Sequence, residues 1–194
     1  MKTLFLSFAF ILLAFAARCQ GNTANPDSVS LRVDGTNAYY QKTVKVDSSI
    51  MESMIYLRSL EFFAAKNFQQ NYGFDQEGKL ICTTAQDLNT NKVYVGDEGD
   101  NVDPYTVQFS ITIDMKNRRY RYTINNVVFY MPTETGNRRL GLYDMYLKAT
   151  NTQSKRVARD AKKVLDSFER YIASLTGELY QAVEKKGAID STKF

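Results

Sequence analysis

The chain has 194 residues, with 25 Lys and Arg against 21 Asp and Glu, and its 13 Tyr and 12 Phe supply apolar surface for a core. A formal charge of +4 is too close to neutral to indicate a general affinity for nucleic acid. Histidine is absent from the sequence, which excludes histidine-activated serine or cysteine nucleophiles and histidine-containing zinc sites. No catalytic arrangement of residues stands out, so we expect a non-enzymatic protein without a cofactor.

Residues 1–19 have the layout of a secretory signal peptide. Lys2 precedes an apolar run over residues 4–17 that is interrupted by Ser7, and small residues follow. The run is shorter than the ~20 residues that a helix needs to span a bilayer. We therefore predict an exported protein of the periplasm or cell envelope, without a transmembrane span.

Two cleavage points follow a small-x-small sequence, one after Ala16 and one after Cys19. Loss of residues 1–19 removes two basic residues and no acid, which leaves 23 basic against 21 acidic residues, a net charge of +2. Lipid anchoring at Cys19 is the alternative, although Arg18 occupies the place where a lipobox has a small residue. The remaining cysteine, Cys82, lies in an apolar sequence and is predicted to be buried.

The first elements after the signal peptide are a leader, a strand and a helix. Residues 20–37 are polar and rich in turn formers, which predicts a flexible leader, and residues 39–46 have the composition of a strand. Ser49 and Glu52 have capping-box spacing, and a helix is predicted to follow and to end at Gly73. Its predicted buried stripe has helical spacing and consists of Ile50, Met54, Leu57, Leu60, Ala64 and Phe68.

Strands are predicted across the middle of the chain. Residues 79–84 and 92–95 read as short strands, and residues 105–113 alternate strictly between apolar and polar. This period of two is typical of a half-buried antiparallel strand. A turn at residues 114–117 precedes a second alternating strand, whose phase changes at residues 125–126 and predicts a β-bulge or a bend.

The C-terminal part is predicted to be helical. A loop at residues 132–141 precedes a short helix at residues 142–149, and a long helix begins at Ser154. At ~1.5 Å per residue, residues 154–186 would span roughly 50 Å, whereas a sheet of four or five strands is only about 20–25 Å wide. Part of the apolar stripe must therefore overhang the sheet, cover the first helix or meet another molecule. Its members are Val157, Ala161, Val164, Phe168, Ile172, Leu175 and Leu179.

The element order and a set of short motifs indicate the fold class. A strand, a helix, several strands and a long helix predict an α+β fold with helices on one face of an antiparallel sheet. The motifs are Tyr-Tyr at 39–40, Val-Lys-Val at 44–46, Ser-Ser at 48–49, Tyr-Leu-Arg at 56–58 and Lys-Asn-Arg-Arg-Tyr-Arg-Tyr at 116–122. Over residues 38–131 they resemble the domain of unknown function family 4468, exported bacterial proteins with a TBP-like fold.

The resemblance implies a TBP-like fold and an exported location. The family has no established activity, so no catalytic residue is carried over. Arg118 stands where the family's hairpin usually has a glycine, which puts the turn type in question. The predicted organisation is a signal peptide (1–19), a flexible leader (20–37), a TBP-like α+β domain (38–131) and a loop with a C-terminal helical extension (132–194).

Two groups of residues are candidates for an interaction surface. Lys45, Arg119 and Arg121 are predicted to lie on the open face of the sheet, either as binding residues or as solvated strand residues. Ile172, Leu175 and Leu179 are candidates for self-association or for a protein partner. A TBP-like sheet suggests nucleic acid by analogy, but minor-groove binding needs a strongly basic face with apolar wedges, so we expect none. The acidic stretch 97–103 lacks EF-hand spacing and is predicted to be a solvated loop rather than a metal site.

The sequence supports two main hypotheses about function. The first is an exported, non-enzymatic binding or interaction module. The alternative is a carrier of a small apolar ligand, with a cavity between sheet and helices lined by Tyr105, Phe109, Tyr122 and Phe129. A hydrolase that uses only carboxylates is a third and weaker interpretation.

Overall fold

A computed structural model describes residues 29–71, 79–88, 93–94, 101–102, 105–116, 118–133 and 136–185. The predicted signal peptide and most of the acidic stretch 97–103 lie outside the described residues, as does the leader up to residue 28. Among the described residues, no helix is both long and apolar enough to cross a membrane.

The fold is built on an antiparallel sheet of seven strands. Its order is β1-β2-β8-β7-β4-β3, and β9 pairs with the second half of β8, while β5 and β6 form a separate pair. The strands are β1 (Leu31–Asp34), β2 (Asn37–Lys45), β3 (Gln69–Asn71), β4 (Lys79–Leu88), β5 (Val93–Tyr94), β6 (Asn101–Val102), β7 (Tyr105–Lys116), β8 (Arg119–Thr133) and β9 (Gly136–Gly141). Helices α1 (Glu52–Ala65), α2 (Leu142–Asn151) and α3 (Lys155–Glu184) complete the fold. The predicted α+β class is confirmed.

The alternation predicted for the two long central strands is confirmed. Every odd-numbered residue of β7 from Tyr105 to Met115 is buried, and the residues between them face the other side. In β8, the register slips between the pairs Gln108–Val128 and Ser110–Asn125. Asn126 lies in this bulge with φ 53°, a left-handed conformation that asparagine tolerates better than most residues.

Helix α1 differs from its prediction at both ends. It begins at Glu52 after Met51, which provides no side-chain cap; Asp47 instead accepts hydrogen bonds from the backbone and hydroxyl of Ser49, both at 2.8 Å. It ends eight residues before Gly73, because Asn67 adopts φ 59° and closes a Schellman motif.

The buried face of α1 also differs from the predicted stripe. The buried residues are Ile55, Ser59 and Phe63. Met54 and Leu60 of the predicted stripe only flank this face, and Phe68 is buried beyond the helix, with its ring 5.0 Å from that of Phe63. The prediction followed an apolar pattern that continues past the helix end to Phe68, the residue before strand β3.

Helix α3 agrees closely with its prediction. Ser154 is the N-cap and accepts a hydrogen bond from the Val157 amide, and all seven residues of the predicted stripe are buried. Its second half packs on α1, whose Arg58 donates to the Val183 carbonyl, and Lys66, the residue after α1, forms an ion pair of 2.6 Å with Glu178. Of the three uses considered for the long stripe, covering the first helix is the one that the structure shows for this half.

Phe168 occupies the centre of the core between sheet and α3. Its ring meets those of Tyr40, Phe109 and Phe129 edge to face, with centroids 5.9, 5.5 and 5.6 Å apart. These are favourable aromatic geometries. Of the rings expected to line a carrier's cavity, Phe109 and Phe129 therefore pack against Phe168, and Tyr105 lies 6.0 Å from Phe129. Tyr122 lines a groove between strand β2 and helix α3.

Candidate functional site

The sheet face opposite the helices, here called the open face, carries mostly polar side chains. The same alternation that buries Tyr120 and Tyr122 turns Arg119, Arg121 and Thr123 to this face. The exposed large hydrophobic side chains among the described residues are Val33, Met51 and Tyr180. None of them lies on the open face, because Val33 pairs with inward-facing Ala38 and the other two lie outside the sheet.

Strand register gathers basic residues at one corner of the open face. Lys45 lies opposite Arg119, which lies opposite Lys116 on its other side. In the next row, Arg121 lies between Thr43 and Asp114, and Asp114 lies opposite Lys79. We call the five basic residues Lys45, Lys79, Lys116, Arg119 and Arg121 the basic corner.

Asp114 is the one acidic residue within these two rows. Its Oδ2 accepts hydrogen bonds from Nε and a terminal nitrogen of Arg121, at 3.0 and 2.7 Å. Its Oδ1 is buried and has no hydrogen-bond partner among the described residues. The pair fixes the guanidinium of Arg121 over strand β7, and an open cleft of about 250 Å³ lies among Thr43, Asp114, Lys116, Arg119 and Arg121.

Beyond the basic corner, the open face carries hydroxyl and amide groups. Gln41 donates to the Thr123 hydroxyl at 3.0 Å, and the Tyr130 hydroxyl donates to the Gln108 side chain at 2.9 Å. Arg139 lies over the Tyr130 ring, 5.2 Å from its centroid. The contact between Gln41 and Thr123 lies four residues along the strands from Lys45 and Arg119, whereas Tyr130 and Gln108 lie towards the other end of the sheet.

The structure separates the two groups of predicted interaction residues. Lys45, Arg119 and Arg121 lie together on the open face, as the alternation predicted. Ile172, Leu175 and Leu179 are instead buried within the chain, at 0, 4 and 0% exposure, and belong to its hydrophobic core. A partner has no access to these three side chains in the folded chain, because the sheet and α1 cover them.

A second groove has one lining residue, Tyr122, in common with the predicted carrier cavity. It has a volume of about 270 Å³ and lies between strand β2 and helix α3, next to Lys45, Tyr122, Ala173, Gly177 and Tyr180. Tyr180 is 43% exposed there. The apolar spacing of α3 gave no signal for it, since Ala173 and Gly177 are small residues outside the buried stripe.

The shifted pKa values of two core groups arise mainly from burial. Burial, followed by the nearby Glu169 carboxylate, raises the pKa of Tyr40, and burial raises the pKa of Cys82 to about 11. The described residues contain no group of three or more Cys, Asp or Glu placed to hold a metal ion.

The comparison with known proteins supports the family resemblance. Residues 40–130 match the family described as a domain of unknown function (DUF4468) with TBP-like fold. The resemblance to this family is confirmed. The DUF4468 match runs from strand β2 into strand β8 and includes the whole basic corner.

Solved structures show the same fold. A TBP-like protein from Parabacteroides distasonis ATCC 8503 superposes with a TM-score of 0.63 and 12% identity, over 79% of this chain and 97% of that chain. A DUF4468 family protein from Bacteroides ovatus ATCC 8483 gives 0.58 and 9%, over 81% and 94%. At these identities the likeness shows the fold alone. No curated protein matches the chain.

Proposed function

We propose that the chain is an exported, non-enzymatic binding module that uses the open face of its sheet. The observation that carries this proposal is the basic corner, in which five basic side chains from four strands surround a single carboxylate. Strand pairing fixes the spacing of these side chains before any ligand arrives, and such preorganisation favours binding.

Two further observations support the proposal. The signal-peptide layout of residues 1–19 favours export. The absence of histidine and the location of the shifted pKa values of Tyr40 and Cys82 in the packed core favour binding rather than catalysis. The carrier alternative has less support, because three of its predicted lining residues, Tyr105, Phe109 and Phe129, fill the core around Phe168, whereas Tyr122 lines a groove beside strand β2.

Export is tested by mass spectrometry of the protein recovered from the envelope of an expressing bacterium. We expect the mature N-terminus between Ala17 and Gln20. An intact Met1 in exported material would overturn the signal-peptide prediction. A diacylated Cys19 would replace simple cleavage by lipid anchoring.

Binding through the basic corner is tested by sedimenting the purified mature protein with envelope material. We expect low-salt retention that falls in the Arg119→Gln variant and is unchanged in Arg32→Gln. Arg32 lies on the same face, because it pairs with Tyr39, and Tyr39 is six residues along β2 from Lys45, or roughly 20 Å at ~3.3 Å per residue. Equal retention of both variants and the parent would contradict binding through the basic corner.

A further inference from the structure

We infer that the basic corner and the neighbouring hydroxyl and amide row bind an acidic polysaccharide. This inference rests on the proposed function and names the ligand class for the same surface. It combines three features of the open face: several separated cations, a set of neutral hydrogen-bonding groups beside them, and the absence of large exposed apolar side chains among its described residues.

The charge pattern favours a ligand with several separated anionic groups. Lys45, Arg119 and Lys116 lie in one row across three adjacent strands. At ~4.8 Å between strands, the row spans roughly 10 Å. A single carboxylate would engage only one or two of these side chains, whereas a polymer with repeated carboxylate or sulfate groups engages the whole row.

The neighbouring row favours a sugar polymer over other polyanions. Gln41, Thr123 and Thr112 follow one another across the same three strands, four residues along from Lys45 and Arg119. Their amide and hydroxyl groups are both donors and acceptors, as are sugar hydroxyls.

The remaining polyanions fit this face less well. Insertion at a membrane surface needs an apolar face beside the cations, and minor-groove binding to DNA needs apolar wedges. The exposed hydrophobic residues Val33, Met51 and Tyr180 lie away from the open face. Asp114 also offsets part of the positive charge and holds Arg121 in place, which favours a ligand of spaced charges over a densely charged one.

The test is a titration of the mature protein with fluorescently labelled oligogalacturonate, followed by anisotropy at low and high salt. The matched neutral probe is the same oligosaccharide with its carboxylates methyl-esterified. We expect binding of the acidic probe that weakens with salt and little binding of the ester. Tighter binding of the ester, of an oligonucleotide or of anionic vesicles would overturn the assignment.

Variants locate the binding on the open face. Arg119→Gln should weaken binding of oligogalacturonate roughly tenfold, as expected when one charge-assisted hydrogen bond is lost. Thr123→Val should weaken it several-fold without a change of charge, and Asp114→Asn should strengthen it by removing the one carboxylate. Arg32→Gln is the charge-matched control, and melting curves verify that each variant folds.

The outcomes separate this inference from the proposed function. Retention on envelope material that depends on Arg119, without binding of oligogalacturonate, would leave the proposed function standing and reject the polysaccharide. Loss of both would reject both. Equal weakening of oligogalacturonate binding by Arg119→Gln and Arg32→Gln would show attraction by net charge alone and would overturn the site.

Discussion

The hydroxyl of Tyr40 lies 3.3 Å from Oε1 of Glu169 and joins strand β2 to helix α3 across 129 positions of sequence. The Tyr40 ring is fully buried against Phe168. Burial raises the pKa of Glu169, while the hydrogen bond from Tyr40 opposes the rise. Ionisation of this carboxylate is therefore less favourable in the folded chain than in water, and the hydrogen bond offsets only part of the desolvation.

The raised pKa of Glu169 makes the stability of the folded protein depend on pH. Because the folded pKa of Glu169 lies above its usual value of 4.5, the stability that the protonated group provides is present below that value and is lost as pH rises through the folded pKa. Glu169→Gln should therefore be more stable than the parent at pH 7 and should lose less stability above pH 4.5. Urea unfolding from pH 4 to 8 measures this.

Glu178 supplies a control of opposite sign. The hydrogen bond from Lys66 lowers its pKa, so its contribution is present above the usual value and is lost as pH falls. Glu178→Gln should be no more stable than the parent at pH 7. A Glu169→Gln variant with unchanged pH dependence would show that this carboxylate is not desolvated.

Phe168→Ala should destabilise the protein by about 3–5 kcal/mol and Leu179→Ala by about 2–5 kcal/mol. Both side chains are fully buried in the same core. Gln181→Ala, at an exposed position of the same helix, should stay within about 0.5 kcal/mol of the parent. Denaturant unfolding provides the three values. A small effect of Leu179→Ala would mean that the second half of α3 does not pack on the domain.

Ser59→Ala should leave stability unchanged or raise it by up to about 1 kcal/mol. The hydroxyl of Ser59 is fully buried in α1 and has no hydrogen-bond partner among the described residues, so it contributes a desolvation cost without a compensating bond. Ser53→Ala, at an exposed position of the same helix, controls for helix propensity. A loss of stability confined to Ser59→Ala would reveal a partner for that hydroxyl.

Arg118→Gly should stabilise the β7–β8 hairpin by up to about 1 kcal/mol. Arg118 has φ 60°, a left-handed conformation that costs a side chain roughly 1–2 kcal/mol and glycine very little. Arg118→Ala removes the charge but keeps the strain, so it should bring no gain. Thermal unfolding compares the three proteins. Equal stability of the Gly and Ala variants would show that the gain does not come from the backbone.

The thiol of Cys82 should resist alkylation at pH 8 in the folded protein. It is fully buried, and burial raises its pKa to about 11, so the reactive thiolate is scarce. Labelling of a chain that starts at Gln20 should therefore follow global unfolding as denaturant is added. Ala85→Cys in a Cys82→Ala background places a thiol at an exposed position of the same strand and should react at once. Rapid labelling of native Cys82 would contradict the described burial.

Elements in which apolar and polar residues alternate with a regular period were predictable from the sequence. The alternation of β7 and the stripe of α3 each repeat over many residues, so one misplaced residue does not obscure them. The end of α1 was not predictable in this way, because Asn67 and Gly73 are both suitable for a left-handed C-terminal residue. The choice depends on strand β3, whose Gln69 pairs with Thr83 of a later strand.

The open face was predictable only in part. Alternation alone places Lys45, Arg119 and Arg121 on one face of their strands. The positions of Lys45 opposite Arg119 and of Lys79 opposite Asp114 depend on the register between strands that are distant in sequence, and a shift of one residue would turn them to the opposite face. A single sequence does not specify that register.

The central position of strand β8 has a consequence for synthesis of the chain. It separates β2 from β7 in the sheet, and its Thr123 bonds Gln41 across 82 positions. Such distant pairing slows folding, because a long loop must close first. Any nascent chain that stops before β8 also leaves β2 and β7 without their shared neighbour, and unpaired strand edges promote aggregation. We therefore expect the chain to be most prone to aggregation until strand β8 has been made.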